Sequence, residues 1–151
     1  MNHVPDDPIR VEDTVLVLLA AGRSTRFGDI GSKLTEEFLN RPLGLHVAVA
    51  LQRLPFAERL AIVDGARLDY APYGFTQIHN DDPGGGMSRS VRLGVARAKE
   101  MGARAVMIAL ADMPRVTATH VLRVFDAADG DATVVASSDG RSPCPPALFG
   151  A

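Results

Sequence analysis

The chain lacks the cysteine pairs, long apolar runs and excess positive charge that disulfide-bonded, membrane-spanning and nucleic-acid-binding proteins depend on. It contains one cysteine, Cys144, and no tryptophan among 151 residues. A single cysteine cannot form an internal disulfide, which favours a reducing compartment, the cytoplasm. No apolar run reaches the length of a membrane span, and the N-terminus has no apolar signal segment, so we expect no membrane helix. The net charge of -2 argues against nucleic acid as the main partner.

Two glycine signatures of nucleotide-binding proteins are also missing. A dinucleotide-binding turn needs Gly-x-Gly-x-x-Gly, and a P-loop ends in Gly-Lys-Ser or Gly-Lys-Thr. Neither occurs in the sequence. A classical NAD-binding domain is therefore disfavoured, although Asp64 stands at the end of a predicted strand. The four histidines show no metal-ligand spacing, and Cys144 has no evident histidine partner for nucleophilic catalysis.

What the chain does have is an alternation of strand and helix patterns. The predicted strands cover residues 14–20, 59–64, 75–79, 105–110 and 132–136, and an extended piece with a turn covers 37–42. The predicted helices cover residues 43–54 and 88–101, with Ser88 as cap, and a third helix follows its cap Thr117, with Leu122 facing inward. This alternation predicts one α/β domain, a mostly parallel sheet with helices on both faces. Residues 1–13 have two prolines and four acids, which predicts a flexible tail.

Three predicted loops carry residue types that bind phosphates and metals. Ligands of parallel sheets bind beyond the carboxyl ends of the strands, so residues 20–33, 80–90 and 111–117 are expected on one rim. The first loop begins within the stretch LAAGRSTRFG, whose small residues let the backbone approach a ligand closely. Its cations are Arg23, Arg26 and Lys33, and guanidinium groups can bind phosphate oxygens through two parallel donors. The alternative is a solvated basic loop.

The other two loops are weaker signals alone. Asp112 follows a buried strand, and Mg²⁺ takes one or two carboxylates together with substrate phosphates; the alternative is a turn aspartate. Gly84–Gly86 stand before a predicted helix, where backbone amides can bind anions or polar base edges. Ser90 adds a hydroxyl there, but it could equally be an exposed helical residue.

Together the three loops resemble the MobA-like NTP transferases, and most closely their molybdenum cofactor cytidylyltransferase branch. That family has Leu-Ala-Ala-Gly-x-Ser-x-Arg-[Met/Phe]-Gly after its first strand and then a lysine. It also has a mid-chain Asn…Gly-Met-x-x-Ser loop and an Asp-Met-Pro metal motif after a buried strand. The corresponding residues here are 19–28 with Lys33, then Asn80, Gly86, Met87 and Ser90, and finally Asp112-Met113-Pro114.

The resemblance implies a fold and an activity for residues 14–151. The fold would be a three-layer Rossmann-like nucleotidyltransferase fold. The activity would be Mg²⁺-dependent transfer of a nucleotidyl group from an NTP to a phosphorylated acceptor, with release of pyrophosphate. The expected catalytic residues are Arg26, Lys33 and Asp112, with Asp112 also the metal ligand. The expected substrate-binding residues are Leu19, Ala20, Ala21, Gly22, Arg23, Ser24, Gly28, Asn80, Gly86 and Ser90.

The resemblance also suggests which substrates to expect. Ala21 stands where guanylyltransferase relatives carry glycine, so CTP is the expected nucleotide. A molybdopterin-like acceptor, with handover of the product to a molybdoenzyme, is implied by the resemblance alone. Relatives continue past the position of Ala151 with another strand and helix, so the chain is expected to lack that segment. A nucleotide-binding accessory module without turnover therefore stays open as an alternative. A sugar-phosphate nucleotidyltransferase is a further alternative, because such enzymes also carry Leu-Ala-Ala-Gly loops.

Overall fold

Apolar segments that the sequence marks as buried form the centre of a sheet. The computed structural model describes residues 9–20, 37–63, 69–80, 86–111, 113, 116–126, 134–138 and 143–150, with the backbone alone at 37, 38, 43, 86–88, 134–138 and 143–146. All seven residues of the first strand, Thr14–Ala20, are buried. This strand has a parallel neighbour on each side, which explains why its sequence is continuously apolar rather than alternating.

Within the described ranges the sheet has six strands, five of which run in one direction. The strands are β1 Thr14–Ala20, β2 Glu37–Phe38, β3 Arg41–Pro42, β4 Glu58–Val63, β5 Thr76–His79, β6 Ala105–Leu110, β7 Val134–Ser138 and β8 Pro143–Gly150. The order in the sheet is β5-β4-β1-β6-β8-β7, while β2 and β3 form a separate antiparallel hairpin. The strands β5, β4, β1 and β6 are parallel, and β8 is antiparallel to both of its neighbours.

Helices cover both faces of this sheet. They are α1 His46–Leu51, α2 Gly86–Glu100 and α3 Ala118–Asp126, and single 3-10 turns lie at Val11–Asp13, Leu43–Leu45 and Ala71–Tyr73. Alternate residues of β1 point to opposite faces: Leu16 and Leu18 join a core with α1 and α3, and Val15 and Val17 join a core with α2. The predicted three-layer α/β fold is thus confirmed. No helix in the described ranges is long and apolar enough to cross a bilayer.

Two helix boundaries differ from the prediction. The helix predicted over residues 43–54 is a 3-10 turn followed by α1, which ends at Leu51. The N–H of Leu54 then donates to the Leu51 carbonyl at 3.2 Å. The helix does not continue to Leu54, because a residue that precedes a proline disfavours the helical conformation. The helix α2 starts at Gly86, so the prediction of a loop through Gly86 with Ser88 as cap is wrong.

The prediction for α3 is partly correct. Its cap is confirmed, because the N–H of His120 donates to Thr117 Oγ1 at 3.1 Å. Leu122, predicted to face inward, is 41% exposed, whereas Val121, Val124 and Phe125 are buried. The buried face therefore follows the spacing i, i+3, i+4 from Val121.

The strand β8 is missing from the sequence-based prediction, and β7 ends at Ser138, two residues beyond its predicted end. Residues 132 and 133 of that prediction lie outside the described residues. The prolines of residues 143–146 cannot donate to a ladder, which argues against a central strand. The register explains how they fit: Ala136 pairs with Ala147, but the next residue, Ser137, pairs with Cys144. Pro145 and Pro146 thus fall in the register shift, where no ladder bond is required of them.

The segment before β1 packs against the sheet. Ile9 and Val11 are only 3% and 8% exposed and belong to the core. The prediction of a flexible tail is therefore wrong for residues 9–13. Apolar contacts of this kind order a terminus that would be expected to be flexible from its proline and acid content.

Ion pairing fixes the same segment to the amino edge of the sheet. Arg104 donates to the carboxylate of Asp13 at 3.3 Å, with the two side chains 14% and 29% exposed. The N–H of Arg104 also donates to the Asp13 carbonyl at 3.0 Å, and Thr14 Oγ1 donates to the Arg10 carbonyl at 2.9 Å. The amino edge is thus held by both backbone and side-chain bonds.

Candidate functional site

The carboxyl ends of the four parallel strands meet at one edge of the sheet. In the ladder Ala20 pairs with Val63, and Val63 pairs with His79. Beyond the strands, the N–H of Asn80 donates to the Val63 carbonyl at 2.8 Å, and the N–H of Ala111 donates to the Leu19 carbonyl at 3.0 Å. The first described residues of the three predicted loops therefore lie at a common edge.

The structure describes part of the predicted site. Leu19 and Ala20 end β1 with exposures of 5% and 8%. Asn80 follows β5, and Gly86 and Ser90 belong to the first turns of α2. The other predicted site residues lie outside the described residues: Ala21, Gly22, Arg23, Ser24, Arg26, Gly28, Lys33 and Asp112.

Asn80 and Ser90 are brought together by the fold. The Asn80 side-chain amide donates to Ser90 Oγ at 3.0 Å, and the two residues are 3% and 0% exposed. Buried polar groups without partners are costly, so this bond lets both side chains enter the interior. The alternative of Ser90 as an exposed helical residue is wrong, because Ser90 faces the sheet.

A glycine that the sequence analysis did not select sets how close α2 lies to the sheet. A Cβ added at Gly94 would stand 2.5 Å from Val17 Cγ1 and 2.9 Å from Val17 Cγ2. Such distances require the helix or the Val17 side chain to move, so a glycine at position 94 permits the close approach. The sequence contained one signal for this contact, the glycine inside a predicted helix. Glycine there costs about 1 kcal/mol of helix stability relative to alanine, so its presence indicates a packing constraint.

The chain turns directly after β6, at the predicted position of the metal motif. The N–H of Met113 donates to the Leu110 carbonyl and that of Val116 to the Met113 carbonyl, both at 3.3 Å. Ala111 is fully buried. Within the part of the chain that the structure describes, no three His, Cys, Asp or Glu side chains form a group suited to a metal.

The buried titratable group Tyr70 has a structural role. Its hydroxyl donates to the Gly44 carbonyl at 2.9 Å, and its ring meets Phe75 at a centroid distance of 6.2 Å. Burial raises the pKa of Tyr70 well above its usual range, so the phenol stays protonated and remains a donor. It connects the start of α1 to the segment before β5.

An apolar groove of about 300 Å³ lies away from the carboxyl edge. It runs between α2 and the strands β6 and β8, with Val95, Val106 and Phe149 in its lining. Among the described residues of its lining, Lys99 alone carries a charge. None of the predicted site residues that the structure describes lines this groove.

Comparison with known proteins identifies the domain. The family described as the MobA-like NTP transferase domain matches residues 16–151. The bifunctional protein GlmU of Maricaulis maris is 33% identical over 138 residues, which is 89% of this chain and 30% of GlmU. The chain thus spans less than a third of that curated relative.

Solved structures share the fold at lower identity. A nucleotidyl transferase from Methanothermobacter superposes with a TM-score of 0.72 at 20% identity, over 91% of this chain and 71% of that one. Rv0371c of Mycobacterium tuberculosis, in complex with manganese, superposes with a TM-score of 0.64 at 21% identity, over 91% and 70% of the two chains.

Proposed function

Because the chain belongs to the MobA-like NTP transferase domain family, we propose that it transfers a nucleotidyl group from an NTP to a small phosphorylated acceptor. The observation that carries the proposal is the meeting of Ala20, Asn80 and Ala111 at one edge of the sheet. Three loops that match the family's motifs start at these residues, and ligands of such sheets bind at this edge.

The reaction is an in-line displacement at the α-phosphorus. An acceptor phosphate oxygen forms a bond to the α-phosphorus. At the same time the bond between the α-phosphorus and the oxygen that bridges it to the β-phosphate breaks, and pyrophosphate leaves with the electron pair. Catalysis of this kind rests on positioning and on stabilisation of charge, without a covalent enzyme intermediate.

Each part of the predicted site has a proposed role in that reaction. The first loop holds the triphosphate through residues 19–24 and Gly28. Arg26 neutralises the leaving pyrophosphate, and Lys33 stabilises charge on the α-phosphoryl group. Asn80, Gly86 and Ser90 form the base side of the site.

Asp112 is the proposed ligand of a divalent metal, which we take to be Mg²⁺. One carboxylate suits Mg²⁺, which usually keeps waters and takes its other ligands from substrate phosphates. The described residues on either side of Asp112 are held at the sheet edge, where the N–H of Ala111 donates to the Leu19 carbonyl and that of Met113 to the Leu110 carbonyl. When bound, the ion supplies positive charge to the phosphates. The manganese complex of a structural relative supports a divalent metal for this fold.

We further propose CTP as the preferred nucleotide and a molybdopterin-like acceptor, with handover of the product to a molybdoenzyme. Ala21 supports the preference for CTP, because the guanylyltransferases of the resembling family carry glycine at the corresponding position. The single cysteine supports the cytoplasm as the place of action.

Calorimetric titration with CTP, GTP and UTP in the presence of Mg²⁺ tests the proposal. We expect binding that is strongest for CTP and that weakens when EDTA replaces Mg²⁺. Pyrophosphate release with a phosphorylated acceptor then tests turnover. Binding without release would favour the accessory-module alternative, and no binding of any of the three nucleotides would contradict the proposal.

A further inference from the structure

The face of the sheet that carries α2 is only partly covered by the described helices. On that face α2 packs against β1, β4 and β6, whereas α3 packs against β7 and β8. The two helices lie on opposite faces. Ala98 of α2 shares a core with Ile108, and Val121 of α3 shares the other core with Leu148. Among the described helices, α3 thus covers β8 on one face, and the apolar groove lies on the other.

The apolar groove has the lining expected beneath a helix. The strand β6 contributes Val106 and Ile108, and α2 contributes Val91 and Val95. Phe149 of β8 pairs with Val106 in the ladder and is 39% exposed. Layered domains cover such a face with a further helix, which buries its apolar stripe against the sheet. The position beside α2 therefore fits a helix.

Two cations of α2 border the apolar groove. Lys99 belongs to its lining, and Arg92 lies two helical turns earlier on the same side of α2, about 10 Å away. Both residues are exposed. Within the described ranges neither forms an ion pair, whereas Arg97 on another side of α2 pairs with Glu100 at 3.6 Å. The α2 side of the groove is therefore positive and can pair with carboxylates of a binding partner.

The same charges argue against a second copy of the chain in the groove. A two-fold contact places the same surface on both sides, so Arg92 and Lys99 would face the same cations of the other copy. A helix with carboxylates along one flank meets no such repulsion. Packed helices lie about 8–10 Å apart, so its apolar stripe would reach β6 and β8 while its carboxylates approach Lys99 and Arg92.

We propose that the apolar groove is a docking site for an acidic amphipathic helix of a partner protein. Apolar side chains of that helix cover Phe149 and Val95, and its carboxylates pair with Lys99 and Arg92. Apolar burial supplies the affinity, and the exposed ion pairs supply specificity and a fast association. The described residues of the predicted site lie at the carboxyl edge of the sheet, so this inference does not rest on the proposed function.

A labelled synthetic peptide of about fourteen residues tests the proposal with the full chain. The peptide is an amphipathic helix with leucines along one face and, beside them, two glutamates two turns apart. Fluorescence anisotropy should show saturable binding with equimolar stoichiometry. The affinity should fall as the salt concentration rises, because exposed ion pairs are screened by salt.

Lys99→Glu tests the charged flank of the groove. It should weaken binding of the peptide about ten-fold, since it replaces an attraction with a repulsion. A peptide with lysines in place of the glutamates should bind Lys99→Glu better than the unmodified protein. Arg97→Glu is the matched control, because it makes the same type of charge reversal on α2 at a residue outside the groove lining. It should leave the affinities for both peptides nearly unchanged.

Phe149→Ala tests the apolar part of the groove. It should also weaken binding about ten-fold, as loss of a buried aromatic contact does. Circular dichroism shows whether the variant keeps its fold, and the exposed position of Lys99 makes Lys99→Glu a second test that does not alter the core. Equal losses in Lys99→Glu and Arg97→Glu would show a non-specific attraction of charges and overturn the proposal. Unchanged affinity in Phe149→Ala would place the peptide outside the groove and overturn it as well.

Two further outcomes would identify a different occupant. Without peptide binding, a dimer that sedimentation equilibrium detects and that Phe149→Ala dissociates would mean that a second copy covers the groove. Without peptide binding, uptake of decanoate that Lys99→Glu abolishes would mean that the groove takes a small amphiphilic acid. Either result would overturn the docking of a partner helix.

Discussion

The two edges of the sheet use polar groups in opposite ways. At the amino edge, Arg104 and Asp13 neutralise each other, and their bonds connect the chain before β1 to the start of β6. At the carboxyl edge the described polar pair, Asn80 and Ser90, is neutral. The charged groups at the amino edge thus bind each other, whereas under the proposed function the charged groups at the carboxyl edge bind a ligand. We therefore expect the amino edge to stabilise the fold and the carboxyl edge to bind the ligand.

We expect the largest effect from removal of the charged groups proposed for the carboxyl edge. Lys33→Ala and Asp112→Ala should each lower turnover by about two to three orders of magnitude, as loss of one preorganised charged group does. The melting temperature should stay nearly unchanged. Pyrophosphate release measures the effect, and circular dichroism confirms that the fold persists.

Lys99→Ala is the control for the lysine. Lys99 is exposed near the end of α2, and apart from Lys33 it is the sole lysine of the sequence. Its replacement should leave kcat/KM as it is. Normal turnover in Lys33→Ala or Asp112→Ala would remove these residues from the proposed mechanism.

A smaller effect should follow from moving α2 away from the sheet. Gly94→Ala places a Cβ 2.5 Å from Val17 Cγ1, and overpacking of this kind costs about 1–3 kcal/mol. The gain in helix propensity returns about 1 kcal/mol, so we expect a net loss of about 1 kcal/mol in the free energy of unfolding. The KM for nucleotide should rise as well, because Ser90 moves with the helix. Urea unfolding and steady-state kinetics measure the two effects.

The double variant Gly94→Ala/Val17→Ala tests the cause. It removes both Val17 methyl groups that the new Cβ would meet. The two substitutions should therefore cost less together than the sum of their separate costs. Additive costs would mean that the Gly94–Val17 contact does not limit the approach of α2.

The smallest effect should come from the amino edge. Asp13→Asn weakens the partly buried pair with Arg104 and should lower the free energy of unfolding by about 0.5–1 kcal/mol, without a change in kcat/KM. Glu100→Gln is the control, because Glu100 pairs with Arg97 at 3.6 Å with side chains 69% and 48% exposed. An exposed pair of this kind contributes close to zero. A loss of activity in Asp13→Asn would contradict the division of roles between the edges.

The sequence predicted the buried half of the fold better than its boundaries. The run Thr14–Ala20 and the segment Ala105–Leu110 could be assigned correctly because burial on both faces leaves a continuous apolar signature. The strand β8 could not, since its prolines are tolerated through a register shift that depends on β7. Local patterns do not report such pairings between distant segments.

The site shows the same division. The common edge of the three loops follows from the parallel topology, and the alternation of strands and helices was enough to predict it. The burial of Ser90 and the closeness of Gly94 to Val17 depend on the rotation of α2, which a local sequence pattern leaves open. The sequence analysis therefore could select Ser90 for the site without showing that its partner is Asn80.

The position of β8 has a consequence for how the chain is made. The ribosome completes β7 at Ser138, yet β7 joins the sheet only through β8, which ends twelve residues later at Gly150. At about 5–20 residues per second, that interval lasts on the order of one second. Until β8 pairs with β6, that edge of β6 is open, and open edges invite association with other chains. A delay in the pairing of β8 would prolong this exposure.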